Sequence, residues 1–144
     1  MNRNMITRRV GSMLAIRQNK NEATAKDWSE LQAELKAHQE ELNHTKILVY
    51  TDGGTLTTAQ RKELMAVLGD SHALVAAVSD SMKVRFAGST ISLFQKNYKQ
   101  FTTSELRQAY AHLDLSGEEQ RKVEAVLKEL ERVVYPTGGA TRTR

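Results

Sequence analysis

Short hydrophobic runs that are typical of strands divide the chain at intervals. Residues 46–51 and 72–79 are nearly continuous β-rich runs, a pattern that predicts two strands buried in the interior of a sheet. Residues 6–17 are also largely apolar, but Gly11-Ser12 interrupts them, which predicts a strand with a kink or a short hairpin. Residues 97–101 alternate polar and aromatic side chains, as expected of an edge strand.

Between these runs, apolar side chains recur at helical spacing, with polar side chains on the other faces. The stripes predict helices over residues 24–43, 57–69, 82–94, 102–113 and 116–136. Four start signals pair a hydroxyl residue with an acid or amide three positions later, and these are Thr24/Asp27, Thr57/Gln60, Thr102/Glu105 and Ser116/Glu119. The third helix is expected to turn four side chains inward, namely Val84, Ala87, Ile91 and Phe94.

The resulting order is β-α-β-α-β-α-β-α-α, which indicates an α/β fold. Alternating strands and helices imply crossover connections, so we expect a small, largely parallel four-stranded sheet in a single domain over residues 1–136. Residues 137–144 are rich in Gly, Thr and Arg and are expected to form a disordered basic tail. The long last helix either covers the second face of the sheet, which we favour, or supplies a surface for a homodimer. The apolar stripe that contains Trp28 favours a core role for this side chain over a partner contact.

Composition narrows the range of functions. The chain of 144 residues has no cysteine, which excludes disulfides and thiolate chemistry. Its four histidines are scattered, so we expect no metal and no cofactor. We find neither an apolar run long enough to span a membrane nor a signal-peptide pattern, and therefore expect a cytoplasmic location without membrane contact.

The formal net charge of +4 is concentrated near the two ends of the chain. The basic residues concerned are Arg3, Arg8, Arg9, Arg17, Lys20, Arg142 and Arg144. Basic ends can contact nucleic acid or an acidic partner, but a role in solubility is favoured, so nucleic acid is not the expected partner.

The most informative segment is the joint at which the strand over residues 46–51 meets Asp52-Gly53-Gly54. The carboxyl ends of parallel strands meet at one edge of a sheet, so this joint and the end of the next strand, near residue 79, should be neighbours. The candidate residues for binding a partner or an anion at this edge are Asp52, Gly53, Gly54, Thr55, Ser79, Asp80, Ser81, Lys83 and Arg85. The plainer alternatives are a tight glycine turn and solvated charges, and for the charged residues this second alternative is favoured.

Two hydroxyl residues follow this joint. A phosphate on Thr57 or Thr58 would lie at a helix start, where anions are favoured, although it would also lie near Asp52. The favoured alternative is that Thr57 is an ordinary N-cap. Residues 50–57 superficially resemble the Asp-x-Asp-Gly-Thr-Leu box of haloacid-dehalogenase-type phosphatases. Because Tyr50 replaces the nucleophilic carboxylate, we predict no such activity.

The order of elements, together with four short segments, resembles the STAS / SpoIIAA-like superfamily of anti-sigma-factor antagonists, including the STAS/SEC14-like group. The resemblance spans about residues 6–115 and rests on residues 48–54, 59–61, 76–81 and 101–106. It implies a small non-enzymatic module that binds partner proteins, in a family of which several members are switched by phosphorylation. The switch serine of that family lies in an Asp-Ser-Ser-Gly context, which this chain lacks; Thr57 and Thr58 are nearest by position.

Three functional hypotheses follow. The first is a non-enzymatic regulatory or scaffolding module that binds a partner protein through residues 52–58 and 79–85. The second is a small-ligand or anion-binding domain that uses the same two loops. The third is weak nucleic-acid binding through the basic ends, and an enzyme ranks last.

Overall fold

One five-stranded sheet organises the part of the chain that the structure describes. The structure is a computed structural model, and it describes residues 3–69, 71–92 and 97–136. Within these ranges the strands are β1 (Met5–Val10), β2 (Met13–Gln18), β3 (Lys46–Thr51), β4 (Leu74–Val78) and β5 (Tyr98–Phe101). Their order across the sheet is the same as their order along the chain. Strand β1 is antiparallel to β2, and β2 to β5 are parallel neighbours. The predicted α/β class with a largely parallel sheet is therefore confirmed.

The predicted number of four strands is wrong, because the first apolar run forms two strands. Strands β1 and β2 form a hairpin in which Val10 lies opposite Met13. Gly11 occupies the turn with φ of 60°, a left-handed conformation that glycine adopts without steric cost. Of the two alternatives for this run, the hairpin is correct.

Five α-helices lie within the described ranges. They are α1 (Ala25–Ala37), α2 (Thr58–Leu68), α3 (Met82–Ser92), α4 (Leu106–His112) and α5 (Gly117–Val134), with short 3₁₀ segments at Gln39–His44 and Thr103–Glu105. The first helix is shorter than predicted, since its last part is the 3₁₀ segment. The predicted inward side chains of Ile91 and Phe94, and the tail over residues 137–144, lie outside what the structure describes.

The predicted start signals form where the sequence places them. Reciprocal capping boxes are present at Thr24, Thr57 and Ser116. At Thr102, the backbone N–H donates to the Glu105 carboxylate at 2.8 Å. Each pair satisfies donors that the first turn of a helix would otherwise leave without partners, which explains why these four boundaries could be located from sequence.

Helices cover both faces of the sheet. Alternate residues of β2 and β3 point to opposite faces, so Leu14 and Ile47 pack in one cluster while Ala15 and Leu48 pack in the other. The first cluster includes side chains of α1 and α2, and the second includes side chains of α4 and α5. When successive crossovers have the same hand and step in the same direction across the sheet, their helices lie on the same face. Helices α1 and α2 therefore share one face, and the opposite face is left to α4 and α5.

The last helix covers the second face of the sheet. Its stripe of Val123, Leu127, Leu130 and Val134 is buried, and the first three belong to the cluster that contains Leu48. This outcome confirms the favoured alternative for the long amphipathic helix. Trp28 likewise has the predicted core role, because it is only 7% exposed and its Nε1 donates to Glu63 at 2.5 Å.

A buried carboxylate attaches the start of the chain to α1. The Asp27 side chain has no exposed surface; its Oδ1 accepts from Arg3 Nε at 2.7 Å, and its Oδ2 accepts from the N–H groups of Asn4, Met5 and Thr24 at 3.0, 3.2 and 3.1 Å. Burial alone would raise the pKa of this carboxyl. The hydrogen bonds from Arg3 and the backbone outweigh burial and lower the pKa below its ordinary 3.8.

The basic residues near the N-terminus form ion pairs inside the molecule. Arg3 pairs with Asp27, Arg8 with Glu129 at 2.5 Å, and Arg9 with Glu34 at 2.5 Å. The charges of these three arginines are therefore matched by carboxylates of the same molecule. Within the described ranges, no helix has both the length and the hydrophobicity to cross a membrane.

Truncating the stripe of α5 should cost much of the stability. We expect Leu130→Ala to lower the free energy of unfolding by about 2–5 kcal/mol, since a fully buried leucine is lost and a cavity is left. Lys122→Ala, on an exposed face of the same helix, should change it by less than about 0.5 kcal/mol. Urea denaturation measures both. A wild-type midpoint that rises with protein concentration would instead assign the stripe to an interface between two copies.

Acid should weaken the attachment made by Asp27. A carboxyl with a lowered pKa in the folded state stabilises the protein above its unfolded value of 3.8, and this contribution is lost as the pH falls through the folded pKa. We therefore expect the stability difference between wild type and Asp27→Asn to be constant near neutral pH and to shrink below about pH 4. Urea midpoints at stepped pH measure it, with the exposed Asp114→Asn as control. A difference that stays constant down to about pH 2 would contradict this account.

Candidate functional site

A cleft of about 630 Å³ opens where three parallel strands end. We call it the carboxyl-edge cleft, because the exits of β2, β3 and β4 meet there beneath α4 and α5. Its lining consists of Arg17, Lys20, Tyr50, Thr51, Asp52, Asp80, Thr103, Leu106, Tyr110, Glu124, Leu127, Lys128, Glu131 and Tyr135. Crevices at the carboxyl ends of parallel strands are common ligand sites in α/β proteins.

A buried arginine forms the inner wall of the cleft. Arg17 follows Met13 and Ala15 on the face of β2 that packs against α5, and it is only 4% exposed. Its Nη2 lies 2.9 Å from Asp52 Oδ2 and 3.6 Å from Glu131 Oε2. A charge at this depth requires such partners, because its desolvation would otherwise cost on the order of several kcal/mol.

Two aromatic rings flank this guanidinium. The Cζ of Arg17 lies 4.6 Å from the centroid of the Tyr50 ring and 5.9 Å from that of Tyr135, within the range of cation–π attraction. The Tyr135 hydroxyl donates a hydrogen bond to the same Asp52 carboxylate. The network therefore joins the end of β2, the end of β3 and the end of α5.

Another carboxylate, Asp80, connects the exit of β4 to the segment before α4. Asp80 accepts from the Thr103 hydroxyl at 2.6 Å and from the Thr103 N–H at 2.9 Å. These hydrogen bonds, the hydroxyl first, lower the pKa of Asp80, and the charge of Arg85 acts in the same direction. Asp80 is exposed and carries its negative charge at the rim of the cleft.

Glu124 of α5 also lines the cleft. The Tyr110 hydroxyl donates to Glu124 Oε2 at 3.4 Å. Burial, and then the neighbouring charge of Glu124, raise the pKa of the Tyr110 phenol, so it remains a neutral donor at physiological pH.

The structure brings together two of the residues that were predicted from sequence. Strands β3 and β4 are parallel neighbours, so Asp52 and Asp80 both line the carboxyl-edge cleft, as expected.

The glycine loop after β3 turns away from the carboxyl-edge cleft. Gly53 has φ of 147° in the turn, and Gly54 packs so closely that a Cβ would lie 2.1 Å from the Asn21 carbonyl oxygen. Thr55 borders an apolar cavity on the opposite face of the sheet. These three residues shape the loop rather than line the cleft.

The residues after β4 begin a helix. Ser79 is buried, and its hydroxyl accepts from the Ser81 N–H at 3.1 Å. The Ser81 hydroxyl in turn accepts from the Val84 N–H at 3.3 Å, in the manner of a cap on α3. Lys83 and Arg85 are exposed on that helix and do not line the cleft. The single predicted edge is therefore divided between the cleft and the first turns of α3.

Thr57 has the capping role that the sequence favoured. Its hydroxyl accepts from the Gln60 N–H at 3.0 Å, and the Gln60 side chain accepts from the Thr57 N–H at 3.0 Å. The Thr58 hydroxyl is exposed and accepts from Arg61 Nη2 at 3.2 Å. Phosphorylation at either residue stays a prediction.

Most of the residues that line the cleft were missed from sequence. Arg17 was counted only with the basic ends, although a charged residue at an inward position of a buried strand is itself a signal. On α5, Glu124, Lys128, Glu131 and Tyr135 recur at spacings of four, three and four residues, which places them along one side of the helix beside the apolar stripe.

Two large hydrophobic side chains are exposed near the start of α3. Met82 is 76% exposed and Phe86 is 83% exposed. They are four residues apart, so they are neighbours on one face of the helix. We call Met82, Lys83, Arg85 and Phe86 the α3 patch.

Within residues 3–69, 71–92 and 97–136, no three histidine, aspartate or glutamate side chains gather as a metal site would require. No protein-family model matches the chain, and no curated protein matches its sequence.

Removing the buried arginine should destabilise the protein. We expect Arg17→Met to lower the free energy of unfolding by about 3–5 kcal/mol, because it leaves Asp52 and Glu131 close together without the intervening charge. Adding Asp52→Asn should restore part of that loss. Urea denaturation measures each variant, and the exposed Arg107→Met should change stability by less than about 0.5 kcal/mol. A double variant no more stable than Arg17→Met would contradict this explanation.

Proposed function

We propose that this chain is a non-enzymatic regulatory or scaffolding module that binds a partner protein through the α3 patch, beside the carboxyl edge of the sheet. The observation that carries the proposal is the exposure of Met82 and Phe86 at 76% and 83%. Single exposed apolar side chains are common, but two of this size on adjacent turns of one helix form a continuous apolar surface.

The patch has the composition of an interaction surface. Phenylalanine, methionine and arginine are enriched at protein interfaces, where a few aromatic or arginine side chains supply most of the binding energy. Covering a side chain such as Phe86 contributes roughly 1.5–3 kcal/mol through the hydrophobic effect. Phe86 is therefore the expected anchor of the contact.

The flanking charges indicate what kind of partner fits. Lys83 and Arg85 are both exposed next to the apolar pair, and the chain as a whole has a net charge of +4. Electrostatic complementarity favours an acidic segment with apolar side chains. Cations in the first turn of a helix oppose its dipole, so the position of Lys83 is unfavourable for α3 itself, which favours a role in binding.

The start of α3 is held firmly enough to present such a surface. The hydroxyls of Ser79 and Ser81 accept backbone N–H groups at the turn into the helix. Asp80, between them, is bound to Thr103. A surface that is fixed before binding loses less conformational entropy when the partner arrives.

The wider description of the protein is part of the same proposal. The largely parallel α/β sheet supports a STAS-like fold, and such a fold would agree with a signalling module. We propose a protein partner and a cytoplasmic location, with phosphorylation of Thr57 or Thr58 as a possible control of binding.

Affinity capture with altered baits tests the proposal. We expect Phe86→Ala and Arg85→Glu each to reduce recovery of the specific partner by about tenfold or more, since each removes a central contact. Lys122→Glu makes the same charge change on an exposed face of α5 and should retain the partner. A chain that lacks residues 137–144 should also retain it. Mass spectrometry would report partners and phosphosites together.

Two controls make the result decisive. Arg85 and Phe86 are exposed, so both variants should melt within about 2 °C of wild type, which would exclude unfolding as the cause. Partners that remain bound to both Phe86→Ala and Arg85→Glu would show that the α3 patch is not the contact surface. Partners released by nuclease treatment would point to nucleic acid instead.

A further inference from the structure

We propose that the carboxyl-edge cleft binds a small organic cation, namely an ammonium group attached to an apolar body. The proposal does not depend on partner binding by the α3 patch. It rests on the charges, the aromatic rings and the apolar floor that the fold brings together in the cleft.

The charge of the cleft is opposite to that of the whole chain. Its lining contains four carboxylates, from Asp52, Asp80, Glu124 and Glu131, against the three cations Arg17, Lys20 and Lys128. The whole chain has a net charge of +4, so the charge of the lining differs in sign from that of the protein as a whole. An anionic ligand would face this excess of negative charge, and the anion-binding alternative is therefore disfavoured.

The three cations of the lining do not form ion pairs with all four carboxylates. Arg17 lies 2.9 Å from Asp52, so the innermost positive charge is already matched. Asp80 accepts its two hydrogen bonds from Thr103, and Glu124 accepts from Tyr110; both donors are neutral hydroxyl or amide groups. Each carboxylate has about four acceptor positions, so both acids can take charged donors from a ligand. The charge of Arg85 acts on Asp80 from outside the lining, so Glu124 is the acid on which the negative charge at the opening of the cleft mainly depends.

Aromatic rings border the same charges. Tyr50, Tyr110 and Tyr135 line the cleft, but Tyr110 and Tyr135 are buried. The Arg17 guanidinium lies 4.6 Å from the centroid of the Tyr50 ring, and Tyr50, which is only partly buried, is the ring that a ligand cation can contact. The raised pKa of Tyr110 keeps that phenol neutral, so it donates to Glu124 and orients the carboxylate.

Size and hydrophobicity suggest the body of the ligand. The cleft of about 630 Å³ lies within the volume range of small-molecule sites. Leu106 and Leu127 contribute apolar surface beneath the charged rim. An aromatic or branched aliphatic group on the ammonium would cover these leucines, whereas an inorganic cation would leave them exposed to water.

Three probes of nearly equal shape isolate the role of charge. They are 2-phenylethylamine, 2-phenylethanol and 3-phenylpropanoate, titrated into the full-length protein at pH 7 and followed by ¹H–¹⁵N correlation spectra. We expect the amine to bind about tenfold more tightly than the alcohol, with shifts concentrated at the strand exits and at Thr103, because a charge-assisted hydrogen bond contributes about this factor. The carboxylate should bind least.

A pair of matched variants locates the site. Glu124→Gln should weaken binding of the amine by about fivefold, the effect of one partly solvated charge pair, and leave the alcohol unchanged. Glu118→Gln makes the same charge change at an exposed position of α5 outside the cleft and should have no effect. Both glutamates are exposed, so neither change should unfold the protein.

The proposal is overturned if the carboxylate binds as tightly as the amine, if the two glutamate variants behave alike, or if none of the three probes produces shifts at the cleft. Weakened amine binding in Glu124→Gln together with retained partner capture would show that the two surfaces act separately. Unchanged amine binding in Phe86→Ala would show the same from the other side.

Discussion

The buried charge of Arg17 constrains how the ends of three elements meet. An arginine that is 4% exposed at the end of β2 has to be neutralised nearby, and its carboxylate partners come from the end of β3 and from α5. Tyr135 reinforces the arrangement by donating to Asp52 from the end of the last helix. The apolar stripe of α5 brings the helix to the sheet, and this network determines where its end lies. The walls of the cleft therefore follow from the same interaction that closes the fold.

The position of the cleft reflects where apolar packing stops. Along α5, the stripe from Val123 to Val134 contacts the strands, while Glu124, Lys128 and Glu131 occupy the adjacent side of the helix above the strand exits. Side chains of this length and charge cannot pack densely against one another, since each needs water or a polar partner. The helix and the sheet are therefore tightly packed along the apolar stripe, whereas the cleft remains open beside it. A ligand in this opening would meet polar groups that the fold already holds in place.

Local patterns predicted much of the fold because they carry local physical signals. The cap at Thr57 and the buried run of β3 could be read from neighbouring residues. The parallel pairing of β3 with β4, and with it the meeting of Asp52 and Asp80, followed from the alternation of strands and helices. The hairpin was left as one of two alternatives, because a Gly-Ser pair in an apolar run is compatible with either a kink or a turn. The cleft could not be assembled, because Arg17 and Tyr135 come together only when the last helix lies over the first parallel strand.

The glycine loop shows why a suggestive motif did not identify the site. A glycine allows close approach of another group, and at Gly54 that group is the chain's own backbone at Asn19 and Asn21. The space that a phosphate or another ligand would need is already occupied, so the loop contributes a tight turn. Asp52, just before the glycines, is the residue whose side chain reaches the cleft. Recognition at this edge therefore depends on side chains that leave the strands and on those that the covering helices bring to meet them, a grouping that proximity in sequence does not reveal.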